Sequence, residues 1–133
     1  MNSNETFLNS YQRCRIGSEF INDFLDLFCD ANPRFQERFQ EVDKEKQARM
    51  IKASLILIQN ASTTASIRNT IRNLAIKHKD MGLDISAKEL DMWVDSLVAI
   101  VAIYDPLYEE VIELAWRDAL ALGVEIMKDK SVQ

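Results

Sequence analysis

The sequence is poor in the residues that interrupt regular secondary structure. Its 133 residues include three glycines and two prolines. An all-β sandwich or barrel needs many tight turns, and such turns are built largely from glycine and proline. The composition therefore argues against an all-β architecture and predicts long helices with few connections.

Cysteine and long apolar runs are also scarce. Two cysteines, Cys14 and Cys29, do not make the disulfide framework that holds small secreted domains. The longest apolar stretches, at 55–58 and 97–104, are far shorter than the roughly 20 residues that cross a bilayer. The first thirty residues show no basic start followed by an apolar run, so we expect no signal peptide. These absences predict a cytoplasmic protein that does not enter a membrane.

The charge balance is acidic. The formal net charge is −5 at pH 7, which favours solubility and gives no general attraction for nucleic acid or anionic membranes. Basic residues nevertheless crowd one segment at Lys44, Lys46, Arg49 and Lys52, which we interpret as the solvated face of a helix. The length and the 47% hydrophobic content suit a single domain, 1–133, that buries its own core.

Apolar residues recur three and four positions apart along nearly the whole chain, which indicates amphipathic helices. The pattern predicts helices over about 5–13, 18–31, 44–60, 67–82, 87–103 and 106–128, with a short turn or helix at 34–39. Ser18, Asp43, Ser86 and Asp105 are expected as N-caps, and Pro106 as the first residue of the last helix. The last helix has several apolar residues expected to pack in the core: Leu107, Val111, Leu114, Ala115, Ala119, Leu122 and Ile126.

The chain has one histidine, His78, late in the helix predicted over 67–82. Imidazole is a common ligand of iron, and haem iron is often held by a single histidine. A lone histidine on a helix serves more often at the surface or as a hydrogen-bonded core residue. His78 by itself leaves these interpretations open.

Three pieces of sequence, taken together, point to a family. They are FLDLFCDANPRFQERF (24–39), LAIKHKDMG (74–82) and the pair Ala115-Trp116 in the last helix. In their order and spacing the chain, from about 20 to 127, resembles the globin family and is most similar to single-domain bacterial globins. The resemblance implies an all-α, globin-like three-over-three helical sandwich that holds haem b with its iron.

The resemblance implies roles on the proximal side of the haem. His78 would be the ligand that binds the iron. Leu74, one turn earlier, would contact the haem on the same side. Phe39 would pack on the macrocycle near the bend that follows Pro33.

On the distal side, the resemblance implies that Gln47 faces a bound gas, with Ile51 and Leu25 lining the pocket. A gapless comparison would put Lys46 in the distal position instead. We prefer Gln47 because it shares a helix face with Ile51 and Leu55. Its amide could donate a hydrogen bond to the gas, and the apolar walls would keep water away.

The sequence departs from better-known bacterial globins at two positions. Many of them carry a tyrosine where Leu25 stands, and leucine cannot donate a hydrogen bond. Many also carry a tyrosine and a glutamate behind the proximal histidine, whereas Lys88 or Glu89 falls where that tyrosine would be. Both departures weigh against efficient nitric oxide dioxygenation. We expect no reductase domain, so redox turnover would need an external reductase.

The leading hypothesis is a haem-binding globin that reversibly binds oxygen or another diatomic gas. The alternatives are a haem-free globin-like sensor or interaction domain, a nitric oxide-consuming or peroxidase-like haem enzyme, and a plain helical bundle without cofactor. A peroxidase usually needs a distal acid–base group, which Gln47 or Lys46 supplies poorly. The resemblance also implies that the last two helices can supply the contacts of a homodimer.

Overall fold

The computed structural model describes residues 2–33, 35–36, 43–60, 64–80 and 85–132, and that part of the chain contains helices and no strand. The long helices follow in the order α1 (Ser3–Cys14), α2 (Ser18–Ala31), α3 (Lys44–Gln59), α4 (Ala65–Asp80), α5 (Ala87–Tyr104) and α6 (Glu110–Val132). The all-α prediction is confirmed.

Side-chain caps start two of the helices where the sequence predicts them. The Asp43 carboxylate accepts a hydrogen bond from the Glu45 N–H at 3.0 Å. At the start of α5, the Ser86 hydroxyl accepts from the Glu89 N–H at 3.1 Å, and the Glu89 carboxylate accepts from the Ser86 N–H at 2.9 Å. Such a reciprocal capping box satisfies two backbone donors that the helix itself leaves unpaired.

The other two predicted caps are wrong. Gly17, not Ser18, is the N-cap of α2, and it makes no side-chain capping bond. Asp105 ends α5 as its C-cap, and α6 starts at Glu110. The Asp105 carboxylate instead accepts from the Leu107 N–H at 2.9 Å, which stabilises a turn between the two helices.

Helix α6 is the centre of the packing. It contacts α1, α3, α4 and α5, while α2 packs against α3 and α5. The most deeply buried large side chains come from all six helices, and they include Phe7, Phe24, Leu55, Ile71, Leu97 and Trp116. The hydrophobic core therefore joins all six helices and holds α3 and α4 against α6. Among the described helices, none combines the length and apolarity that crossing a bilayer requires.

A buried polar cluster fastens α1 to the turn between α5 and α6. Arg13 Nε donates to Asp105 Oδ1 at 2.7 Å, and the Ser10 hydroxyl donates to Asp105 Oδ2 at 2.6 Å. The indole Nε1 of Trp116 donates to the Ser10 oxygen at 2.9 Å. We call Ser10, Arg13, Asp105 and Trp116 the Asp105 cluster. Its polar groups are mutually satisfied, which a buried carboxylate requires.

Candidate functional site

Five of the six predicted site residues lie on helices α2, α3 and α4, and these helices are neighbours in the structure. α2 packs against α3, and α3 contacts α4, while both α3 and α4 rest on α6. Leu25 belongs to α2, Gln47 and Ile51 to α3, and Leu74 and His78 to α4. The candidate site thus belongs to one side of the helical assembly.

Gln47 is the polar residue that faces inward on α3. Its side chain is 8% exposed, whereas the side chain of Lys46 is exposed. The Gln47 backbone N–H donates to the Asp43 carbonyl at 2.9 Å, but its side-chain amide has no hydrogen-bond partner among the described residues. Among the described residues, the fully buried side-chain polar atom that lacks a partner is the Tyr11 hydroxyl, so the unpaired Gln47 amide keeps some exposure at the surface. The amide is therefore available to a polar group that enters from outside.

Three of the predicted apolar site residues lie at the edge of the core. Leu25 and Ile51 are half-buried and pack against the core, and Leu74 is also half-buried. Each lies one turn or less from a fully buried neighbour on its own helix, as Leu74 does from Ile71. A flat apolar group beside these helices would find a mostly hydrophobic wall, which is what cofactor sites generally offer.

The structure describes less of the residues predicted to lie on the proximal side of a haem. The backbone of His78 lies in the last turn of α4, which ends at Asp80, and its side chain lies outside what the structure describes. Phe39 also lies outside the described residues. Among the described residues, no cluster of three or more His, Cys, Asp and Glu side chains could hold a metal ion. Haem needs only one axial ligand from the chain, since the porphyrin supplies the four ring nitrogens. The absence of a three-residue cluster among the described residues therefore does not bear on a haem site.

An aromatic row leads from Trp93 of α5 through α2 to Phe35. Trp93 meets Phe24 edge-on with ring centroids 5.4 Å apart, and Phe28 stacks on Phe35 at 5.4 Å. Phe35 is 1% exposed, and sequence reasoning overlooked it. The signal was available, because Phe28, Phe35 and Phe39 are apolar residues spaced seven and four apart.

Two surface clefts lie elsewhere. One, of about 420 Å³, runs between α5 and α6 and is crossed by ion pairs from Lys128 to Asp91 at 2.6 Å and from Arg117 to Asp95 at 2.9 Å. The other, of about 260 Å³, separates the start of α2 from α3. Neither of these two clefts contains a predicted site residue.

No protein-family model matches the sequence, and no curated protein matches it significantly. Among solved structures, the chain is similar to a protein from Pseudomonas aeruginosa PAO1 that is described as structurally highly homologous to a human hemoglobin. The two chains are 27% identical with a TM-score of 0.84, over 97% of this chain and 98% of that one. The chain has the globin fold. The family resemblance stated from the sequence is thereby confirmed at the level of the fold, and the candidate site lies on the α2, α3 and α4 helices.

Proposed function

We propose that this globin binds haem b through His78 and reversibly binds oxygen or another diatomic gas. The observation that carries the proposal is the inward position of Gln47, whose amide has no partner among the described residues. The half-buried apolar side chains of Leu25, Ile51 and Leu74 support it, as does the haemoglobin-like fold. When bound, haem supplies an iron atom that can take up a gas molecule.

Each of the candidate site residues would then have a separate role in binding haem and gas. The His78 imidazole would hold the group on one side, and the Gln47 amide would donate a hydrogen bond to a polar gas on the other. Leu25 and Ile51 would exclude water from that side. Glutamine neither gives nor accepts a proton at neutral pH, so this arrangement favours binding over peroxidase-like chemistry. We infer also that reduction depends on an external reductase and that the protein works in the cytoplasm.

The test is the visible absorption spectrum of the protein purified with haem available, before and after reduction and carbon monoxide addition. We expect a strong Soret band that shifts with carbon monoxide. His78→Ala should lose this band, and added imidazole should restore part of it. Far-UV circular dichroism of the variant provides the control for folding.

A His78→Ala variant with an unchanged haem spectrum would overturn the ligand assignment. A folded, colourless wild-type protein that takes up no added haem would contradict the whole proposal. That second outcome would favour the haem-free sensor or interaction domain.

The homodimer implied by the family resemblance has a candidate surface where α5 meets α6. Ile103, Leu107, Val111 and Leu114 are 74%, 62%, 53% and 54% exposed. Exposed apolar side chains grouped at one corner are typical of protein contacts. We propose this corner as the dimer surface, and sedimentation of the wild type against Leu114→Glu tests it.

A further inference from the structure

The charges of this chain are divided unevenly along the sequence. Residues 34–79 contain ten lysines and arginines and four acidic residues, whereas the rest of the chain contains six and seventeen. Residues 34–79 therefore carry a net charge of +6, and the rest of the chain carries −11. The positive part includes α3 and all of α4 except its last residue, Asp80, and these two helices carry most of the candidate site.

Three cations stand out on the outer surface of α3. Lys46, Arg49 and Lys52 lie three residues apart and are all exposed, and we call them the α3 basic face. None of them forms an ion pair with an acid in the part of the chain that the structure describes. Arg117 on α6, by contrast, pairs with Asp95 at 2.9 Å. The α3 basic face is thus exposed positive charge that forms no ion pair with the described residues, and Glu45 is the acidic residue that lines the same surface cleft as Arg49 and Lys52.

We propose that the α3 basic face is the docking surface for a small acidic electron-carrier protein. The naming of an electron carrier rests on the proposed function, since a haem oxidised to the ferric state needs one electron from outside. The reduced carrier would lose that electron and the ferric haem would gain it, with no atom transferred. Gln47 faces inward on the same helix, so a partner on this face lies about one helix diameter, roughly 10 Å, from the candidate pocket.

The overall charge distribution favours a compact acidic protein over an extended polyanion. The whole chain carries a net charge of −5, so an extended nucleic acid or an anionic membrane gains no general attraction to it. A small acidic protein can contact the α3 basic face alone and be oriented by its charge during approach. Complementary charge of this kind sets the encounter rate and the orientation more than the final affinity.

The experiment measures binding of a flavodoxin, a small acidic flavin protein, to the haem-loaded chain by fluorescence anisotropy at low and high salt. We expect Lys46→Glu and Lys52→Glu each to raise the Kd roughly fivefold or more at low salt, with the difference shrinking as salt is added. Lys88→Glu is the matched control, because Lys88 is an exposed lysine on α5 within the acidic part of the chain. Its Kd should stay within about twofold of wild type.

An equal rise in Kd for the variants at Lys46, Lys52 and the control Lys88 would overturn the docking surface. No binding of flavodoxin by the wild type would also overturn it. Tighter binding of duplex DNA or of phosphatidylserine vesicles than of flavodoxin would also overturn it. A chain that takes up no haem but still binds flavodoxin through Lys46 and Lys52 would refute the haem function while retaining the surface. A haem-loaded chain that shows no charge-dependent binding would refute the docking surface while retaining the haem function.

Discussion

Gly123 of α6 lies directly against Ile58 of α3. A Cβ atom on Gly123 would come within 2.6 Å of the Ile58 Cγ2 atom and within 3.0 Å of both the Cα atom and the carbonyl oxygen of Ile58. The missing side chain therefore lets the two helices cross closely. Because α3 also carries Gln47 and Ile51, this crossing helps to fix the helix that holds two of the candidate site residues.

Gly123→Ala should destabilise the protein. In an open helix the substitution would stabilise by about 1 kcal/mol, because alanine is the better helix former. Here the added methyl group collides with backbone atoms that cannot rotate away, and overpacking of this kind costs about 1–3 kcal/mol. We expect urea unfolding to show a lower free energy of unfolding than wild type, and faster release of bound gas if α3 is displaced.

The double variant Gly123→Ala with Ile58→Ala provides the control. Removing the Ile58 side chain relieves the contact with Cγ2 but leaves the backbone contacts, so the two effects should be less than additive. Fully additive losses, or a single Gly123→Ala variant more stable than wild type, would show that the crossing has room for a methyl group.

The Asp105 cluster makes a prediction about acid. Burial tends to raise the pKa of Asp105, but hydrogen bonds from Arg13, Ser10 and the Leu107 N–H outweigh this effect and hold the pKa below its usual value of 3.8. A group whose pKa is lower in the folded state stabilises the fold above its unfolded pKa. That stabilisation is lost as the pH falls through the folded pKa.

Asp105→Asn should therefore lower the free energy of unfolding by about 3 kcal/mol at pH 7, since Arg13 loses its buried partner. Asparagine does not titrate, so the gap to wild type should stay constant from pH 7 to about pH 5 and narrow below about pH 4. Urea unfolding across this range measures it. A gap that widens on acidification would contradict the assigned direction of the pKa.

Asp105 also shows where sequence reasoning reaches its limit. An Asp-Pro pair predicts a helix start, because the local chemistry of a cap is readable from neighbours. In the structure the Asp105 carboxylate instead binds Arg13 and Ser10, which lie 92 and 95 residues away in the sequence. Local periodicity was enough to predict the helices and the all-α class. The caps at Asp43 and Ser86 could be predicted from the type of residue at the helix start. Long-range polar pairs leave no such periodic signal.

The last helix shows the same limit for burial. Four residues expected in the core from their apolar character are exposed, and they are Leu107, Val111, Leu114 and Leu122. Leu107 also lies before α6 begins. Gln47 shows the opposite case. Its inward phase follows from the four-residue spacing to Ile51, and the structure buries it. Spacing within a helix shows which residues share a face. Which face is buried depends on the neighbouring helices.

Gln47→Leu tests the distal side chain. Losing one hydrogen bond of about 1 kcal/mol should speed oxygen release roughly five- to tenfold, as measured by stopped-flow displacement. Stability should hold or rise, because an apolar side chain replaces a buried amide without a described partner. Lys46→Leu is the matched control at the exposed neighbouring position and should leave the off-rate unchanged. A faster off-rate in Lys46→Leu alone would transfer the distal role to Lys46.

Leu25→Tyr tests whether α2 faces the same pocket. Leu25 is half-buried on a helix that packs against α3, so under the proposed function a tyrosine hydroxyl placed there would reach toward the gas that Gln47 is proposed to contact. A second donor worth about 1 kcal/mol should slow oxygen release roughly fivefold, because the bound state gains a hydrogen bond that the free state lacks. Leu25→Phe adds the ring without the hydroxyl and separates hydrogen bonding from crowding. If the phenylalanine and tyrosine variants release oxygen at the same rate, the hydroxyl does not reach the gas, and the assignment of Leu25 to the pocket fails.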